Sequence, residues 1–100
     1  MIGLQKDQYG YGDLLSEMRA VTRQAQELRA VADAHDLKLN ELLYMKIRLE
    51  YTVIAEDAAA VFHKMEYVKT HDKLNDNQRE TVADEFARMM FAIVETSQKI

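Results

Sequence analysis

Residues 38–70 read KLNELLYMKIRLEYTVIAEDAAAVFHKMEYVKT and contain neither glycine nor proline. Leu, Ala, Met, Glu and Lys, which enter a helix at low cost, recur along the whole segment. Apolar side chains return every three or four residues, which is the spacing of one face of a helix. The segment is therefore predicted to be one long helix.

This helix carries apolar side chains along two different sides. A main stripe is formed by Leu43, Ile47, Tyr51, Ile54, Ala58, Val61, Phe62, Met65 and Val68. A second stripe, displaced around the helix at about 100° per residue, is formed by Leu42, Met45, Leu49, Val53, Ala60 and Tyr67. Because polar strips separate the two, one neighbouring helix is not expected to cover both.

Shorter helices are predicted on either side of the long one. Residues 13–34 carry a single narrow apolar stripe, and Asp13 is a suitable N-cap. At the start of the predicted helix over residues 76–97, Asn75 and Gln78 have the spacing of a capping box. Asp36 and Asn40 favour a turn near 35–37, although a continuous helix through this region remains an alternative, since neither Gly nor Pro interrupts it.

These elements predict an all-α protein, either a helical hairpin or a three-helix bundle with a long central helix. Residues 13–100 are expected to form a single domain, and the surplus apolar surface predicts a dimer. The pattern does not distinguish a closed bundle from a hairpin that exchanges its third helix with a second copy.

Residues 1–12 hold all three glycines of the chain and are predicted to be a flexible N-terminal arm. Tyr9 and Tyr11 lie in this arm. Tyrosine offers a large contact area at low entropic cost, so an alternative interpretation makes the arm a docking strap.

The composition excludes several classes of protein. Without cysteine there is no disulfide framework and no thiolate metal site, which favours a cytoplasmic location. The longest apolar run, residues 89–94, is far shorter than a bilayer span, so no membrane association is expected. The net charge of −4 is spread along the chain and includes no Lys/Arg cluster, so nucleic acid is an unlikely partner.

No arrangement of residues indicates catalysis. His35, His63 and His71 do not pair at the i, i+4 spacing of helical metal ligands, and Glu-x-x-His never occurs. Ser16 and Ser97 do not lie on glycine-bounded turns of the kind that expose a nucleophile. The chain is therefore predicted to have no catalytic residue, metal or cofactor, and not to be an enzyme.

Residues 31–45 resemble a helix-turn-helix in the offsets of their small, turn and apolar positions, from Val31 and Ala32 through Asp36 and Leu37 to Leu42 and Met45. The resemblance implies a small DNA-binding regulator with a recognition helix near residues 38–48. That helix would present Lys38, Asn40, Tyr44 and Arg48. Against this alternative, residues 38–50 hold three basic and two acidic side chains, and the helix continues well beyond the usual length.

The principal hypothesis is a non-enzymatic protein-interaction module that binds a protein partner, itself as a homodimer, or both. An adaptor, a chaperone or an inhibitor of a larger protein would share the same pattern. The residues expected at its interfaces are Leu42, Met45, Leu49 and Val53 in one contact and Met90, Phe91 and Val94 in another.

Overall fold

The computed structural model describes residues 9–100, which form three α-helices. Helix α1 spans Tyr11–Asp33, α2 spans Glu41–His71 and α3 spans Asp76–Ser97. A short 3-10 turn, Leu37–Leu39, precedes α2. The described residues include no strand, so the prediction of an all-α fold dominated by a long helix is confirmed.

Helix α1 begins two residues earlier than predicted. Gly10, in an extended conformation, is the N-cap, and the expectation that Asp13 would be the cap is wrong. Asp13 instead occupies the third helical position, where its carboxylate accepts a hydrogen bond from the Gly10 N–H at 3.0 Å. It thus satisfies a backbone donor and places negative charge at the positive end of the helix dipole. Residues 1–8 of the predicted arm lie outside the described part of the chain.

The connection between α1 and α2 is a turn, not a continuous helix. Asp36 accepts a hydrogen bond from the Lys38 N–H at 3.1 Å, and Asn40 accepts one from the Leu43 N–H at 3.0 Å. Asp36 thus caps the short 3-10 turn and Asn40 caps α2, as expected for Asp and Asn. Because residues 37–39 form the 3-10 turn, α2 starts at Glu41 and not at residue 38.

The capping box predicted at the start of α3 is confirmed. Asn75 Oδ1 accepts from the Gln78 N–H at 2.8 Å, and Gln78 Oε1 accepts from the Asn75 N–H at 3.0 Å. Just before it, Lys73 takes a left-handed conformation (φ 49°) after the end of α2, a position more often filled by glycine.

Helix α1 packs against both of the other helices. It is antiparallel to α2, since Glu17 pairs with Lys64 at 3.0 Å and the Tyr11 N–H donates to Asp72 at 3.1 Å. It is parallel to α3, since Arg19 pairs with Glu85 at 3.4 Å and Arg29 pairs with Glu95 at 2.8 Å. Helices α2 and α3 also touch, with the Tyr51 hydroxyl donating to the Ile93 carbonyl at 3.4 Å.

The molecule is elongated, with principal extents of 50 × 32 × 15 Å. Its radius of gyration of 16.1 Å exceeds the roughly 13 Å of an average 100-residue domain. The long axis follows from α2, whose 31 residues reach about 46 Å at 1.5 Å per residue. An elongated fold of three helices leaves a large part of each helix facing water.

The core is built from the narrow stripe of α1 and the inner faces of α2 and α3. The α1 stripe, Leu14, Met18, Val21, Ala25, Leu28 and Ala32, is buried throughout. The remaining buried apolar side chains of the helices are Leu15, Ile47, Ile54, Ala58, Val61, Met65, Val68, Val82, Met89, Ala92 and Ile93. One polar side chain, Thr96, is fully buried with them, and its hydroxyl lies 2.8 Å from the carbonyls of Ala25 and Ala92.

Replacing Asn75 with Ala is expected to lower the free energy of unfolding by about 1 kcal/mol, because an N-cap removed in this way exposes an unpaired backbone donor. Urea unfolding followed by circular dichroism measures the change. Asn77→Ala, an exposed position in the first turn of α3, is the matched control and is expected to leave stability nearly unchanged. Equal effects at both positions would contradict the role assigned to the cap.

Candidate protein-interaction surface

The second stripe of α2 is exposed along its N-terminal half. Leu42, Met45, Leu49 and Val53 are 81%, 58%, 68% and 56% exposed. The opposite side of the same helix carries Ile47 and Ile54, both buried. We call the set Leu42, Met45, Leu49 and Val53 the outer stripe of α2. It presents four large apolar side chains to water over about 17 Å of helix.

The second expected contact lies on α3, and its three residues are also exposed. Phe91 points away from the core and is 64% exposed, whereas Val94 and Met90 are less so. Met90 borders a shallow groove of about 320 Å³ between α2 and α3, where Phe62 and Phe86 stand with their ring centroids 5.9 Å apart. The structure thus places the two expected contacts on different helices.

Several exposed apolar residues were not expected from the sequence. Leu39, in the 3-10 turn just before α2, is the most exposed of them and lies next to the outer stripe in the chain. A residue in a turn carries no helical periodicity, so no sequence signal marked it. Val31 is partly exposed as well, and so is Tyr67, which belongs to the predicted second stripe of α2. The spacing predicts that Phe62 belongs to the main stripe, but its side chain is 43% exposed and lies at the edge of the core.

The two tyrosines of the predicted arm lie against the helices of their own chain. The Tyr9 hydroxyl donates to Glu17 at 3.1 Å, and the Lys64 ammonium lies 5.2 Å from the Tyr9 ring centroid. Burial, reinforced by the negative charge of Glu17, raises the pKa of the Tyr9 phenol. Tyr11 is the first residue of α1 and packs against the core. Neither ring extends away as a strap in this structure.

The residues of the helix-turn-helix alternative do not share one helix. Lys38 lies in the 3-10 turn, Asn40 is the N-cap of α2, and only Tyr44 and Arg48 lie within α2. The Arg48 guanidinium donates to the Tyr44 hydroxyl at 3.1 Å and lies 5.8 Å from its ring centroid. The predicted recognition helix over residues 38–48 is therefore corrected to a segment that becomes helical only at Glu41.

A groove of about 500 Å³ runs between α1 and α2. Its apolar lining comes from Leu28 and Val31 on α1 and from Val53 and Ile54 on α2. Its polar lining consists of Gln24 and three acidic side chains, Glu27, Glu50 and Asp57. We call it the α1–α2 groove. It meets the outer stripe at Val53, which belongs to both.

The histidines have ordinary local roles. The Nδ1 atoms of His35 and His71 lie 2.9 and 2.8 Å from the carbonyls of Val31 and Tyr67, one helical turn earlier in each case. His63 stands beside the Phe62 ring. Within residues 9–100, no group of three or more His, Cys, Asp or Glu side chains is arranged to hold a metal ion. No helix in this same part of the chain is long and apolar enough to cross a bilayer.

Comparison with protein-family models, with curated proteins and with solved structures found no match.

Proposed function

We propose that this chain is a non-enzymatic protein-interaction module that forms a homodimer through the outer stripe of α2. The observation that carries the proposal is the exposure of Leu42, Met45, Leu49 and Val53, each more than half open to water on a helix whose opposite side is core. Covering such a stripe removes apolar surface from water, which stabilises the complex by about 25 cal/mol per Å² of apolar surface buried. Contiguous apolar patches of this kind usually mark interfaces.

A second copy is the simplest partner for this stripe. A two-fold symmetric contact pairs the same surface with itself, so a single stripe is enough to make a complete interface. The stripe runs along one helix with spacings of 3, 4 and 4 residues, the spacing at which two helices pack side by side. The exposed Leu39, just before α2, would extend the contact.

The exposed residues of α3 provide a further contact for a different protein. Met90, Phe91 and Val94 lie on another helix, and methionine and phenylalanine suit an adaptable apolar surface. With one surface for self-association and one for a partner, the module would serve as a dimeric adaptor, chaperone or inhibitor. The absence of cysteine from the sequence is consistent with work in the reducing cytoplasm.

The DNA-binding alternative receives less support from the geometry. The two helices of a helix-turn-helix cross at about 90–120°, so that the second one enters the major groove. Here α1 and α2 lie antiparallel along their length, from the Glu17–Lys64 pair to Leu28 and Ile54 in the α1–α2 groove. The protein-interaction function is therefore preferred.

Light scattering on a sizing column, repeated over a dilution series, tests the homodimer. We expect a mass of twice the chain's 11.6 kDa at high concentration, falling toward the single-chain mass on dilution. A mass of 11.6 kDa at every concentration would contradict self-association through the outer stripe.

A further inference from the structure

We infer that the α1–α2 groove binds a basic, amphipathic helix of a partner protein, with the partner's apolar side chains on the groove floor and its Lys or Arg side chains against the acidic rim. This inference rests on the proposed function of a protein-interaction module. It assigns the module a second surface, on the α1–α2 side of the molecule, and states the chemistry of what binds there.

The shape of the groove fits a helix. Its walls are two antiparallel helices, lined over residues 24–31 on α1 and 50–57 on α2, about 10 Å along each. That length matches anchors at positions i, i+3 or i+4, and i+7 of a bound helix, which is how amphipathic helices enter apolar grooves. The floor offers Leu28 and Ile54, with the partly exposed Val31 and Val53 at its edges.

The charges around the groove determine the sign of the charge that a partner must carry. Glu27, Glu50 and Asp57 all line the groove, and no basic side chain of residues 9–100 does. Within residues 9–100, none of these three carboxylates has a Lys, Arg or His nitrogen within 4.0 Å, whereas Glu17, farther along the same pair of helices, is neutralised by Lys64 at 3.0 Å. Three carboxylates around an apolar floor favour a partner that brings cations.

The same charges disfavour a second copy as the occupant. Two such grooves facing each other across a two-fold axis would bring six carboxylates together, and like charges brought together at an interface cost several kcal/mol. Leu42, Met45 and Leu49 of the outer stripe do not line the groove and so remain available for the homodimer, whereas Val53 borders both surfaces.

A designed peptide of about 18 residues, with Leu at i, i+3, i+4 and i+7 and Lys elsewhere, is the probe, and the same peptide with Glu in place of Lys is its control. Binding to the full chain is measured by fluorescence anisotropy, and the site is mapped by amide chemical shifts of the labelled protein. We expect the Lys peptide to shift residues 24–31 and 50–57, to weaken as salt is added, and to bind at least about tenfold more tightly than the Glu peptide.

Two double variants distinguish binding in the α1–α2 groove from nonspecific attraction to the net negative charge of the chain. Glu50→Gln with Asp57→Asn removes two rim carboxylates, and Glu80→Gln with Asp84→Asn removes two exposed carboxylates of α3. Both change the net charge from −4 to −2. We expect the first pair to weaken the Lys peptide about tenfold and the second to have little effect. No binding of the Lys peptide, equal loss in both variants, or shifts confined to residues 42–49 would overturn the inference.

Failure of the groove and failure of the homodimer give different results. If the chain stays monomeric at all concentrations but binds the Lys peptide at residues 24–31 and 50–57, the homodimer is contradicted and the groove inference is supported. If the chain dimerises through the outer stripe but does not bind the Lys peptide, the homodimer is supported and the groove inference is contradicted. The Leu49→Asp variant, outside the groove lining, is expected to bind the Lys peptide at least as tightly as the parent chain.

Discussion

Leu49→Asp is expected to convert the dimer into a monomer that keeps its helices. Leu49 is 68% exposed in the single chain, so a carboxylate at this position stays in water there and costs the fold little. In the proposed dimer the same carboxylate would be buried twice, once from each subunit, and would displace two leucines that each contribute about 1.5–3 kcal/mol when buried. The dissociation constant should therefore rise at least about 100-fold, equivalent to about 3 kcal/mol.

Light scattering and far-ultraviolet circular dichroism together check this prediction. The variant should show the single-chain mass at concentrations where the parent chain is a dimer, with an unchanged helical spectrum. Gln26→Asp introduces the same charge at an exposed position of α1, outside the outer stripe, and should leave the dimer intact. Loss of helical signal in Leu49→Asp would show that Leu49 belongs to the core, and an unchanged dimer would place the interface elsewhere.

Met18→Ala is expected to lower the stability of the single chain more than Asn75→Ala or Met45→Ala does. Met18 is fully buried near the middle of α1, the helix that packs against both α2 and α3. Truncating a buried methionine to alanine leaves a cavity and typically costs about 2–5 kcal/mol. In a domain of this size each kcal/mol lowers the melting temperature by about 4–8 °C, so a decrease of at least about 8 °C follows.

Thermal unfolding in the Leu49→Asp background measures this effect without a contribution from dimerisation. Met45→Ala is the matched control, since it makes the same chemical change at a position that is 58% exposed. We expect less than about 1 kcal/mol for Met45→Ala. Similar losses for the two variants would contradict the division of α2 and α1 into core and exposed faces.

The fold class and the helices follow from the local pattern of the sequence. The 4, 3, 4 spacing of the α1 stripe predicts its buried face, and the Asn75–Gln78 pair predicts the first residue of α3. The sequence predicts too late a start for α1 because Asp13 is equally suited to the N-cap and to the third helical position. Local chemistry does not choose between these two positions, and the fold places the cap at Gly10.

For the candidate site too, one part can be predicted from the local sequence pattern and another part depends on the whole fold. Periodicity separates the two stripes of α2, but which one is covered depends on where α1 and α3 pack, and that is a property of the whole fold. The α1–α2 groove has no counterpart in any single segment, because Glu27 and Glu50 become neighbours only through the antiparallel register that also pairs Glu17 with Lys64. The exposure of Leu39 could not be predicted either, since an apolar residue in a turn does not belong to a periodic helical pattern.

The parallel pairing of the first and last helices has a consequence for how the protein is made. Thr96 contacts the Ala25 carbonyl across 71 positions of the chain, and Glu95 pairs with Arg29 across 66. During synthesis, α1 and α2 emerge before α3 and can only form a hairpin whose α3-facing apolar side is uncovered. The core therefore closes after translation has passed residue 96, and until then the nascent hairpin exposes apolar surface of the kind that chaperones protect.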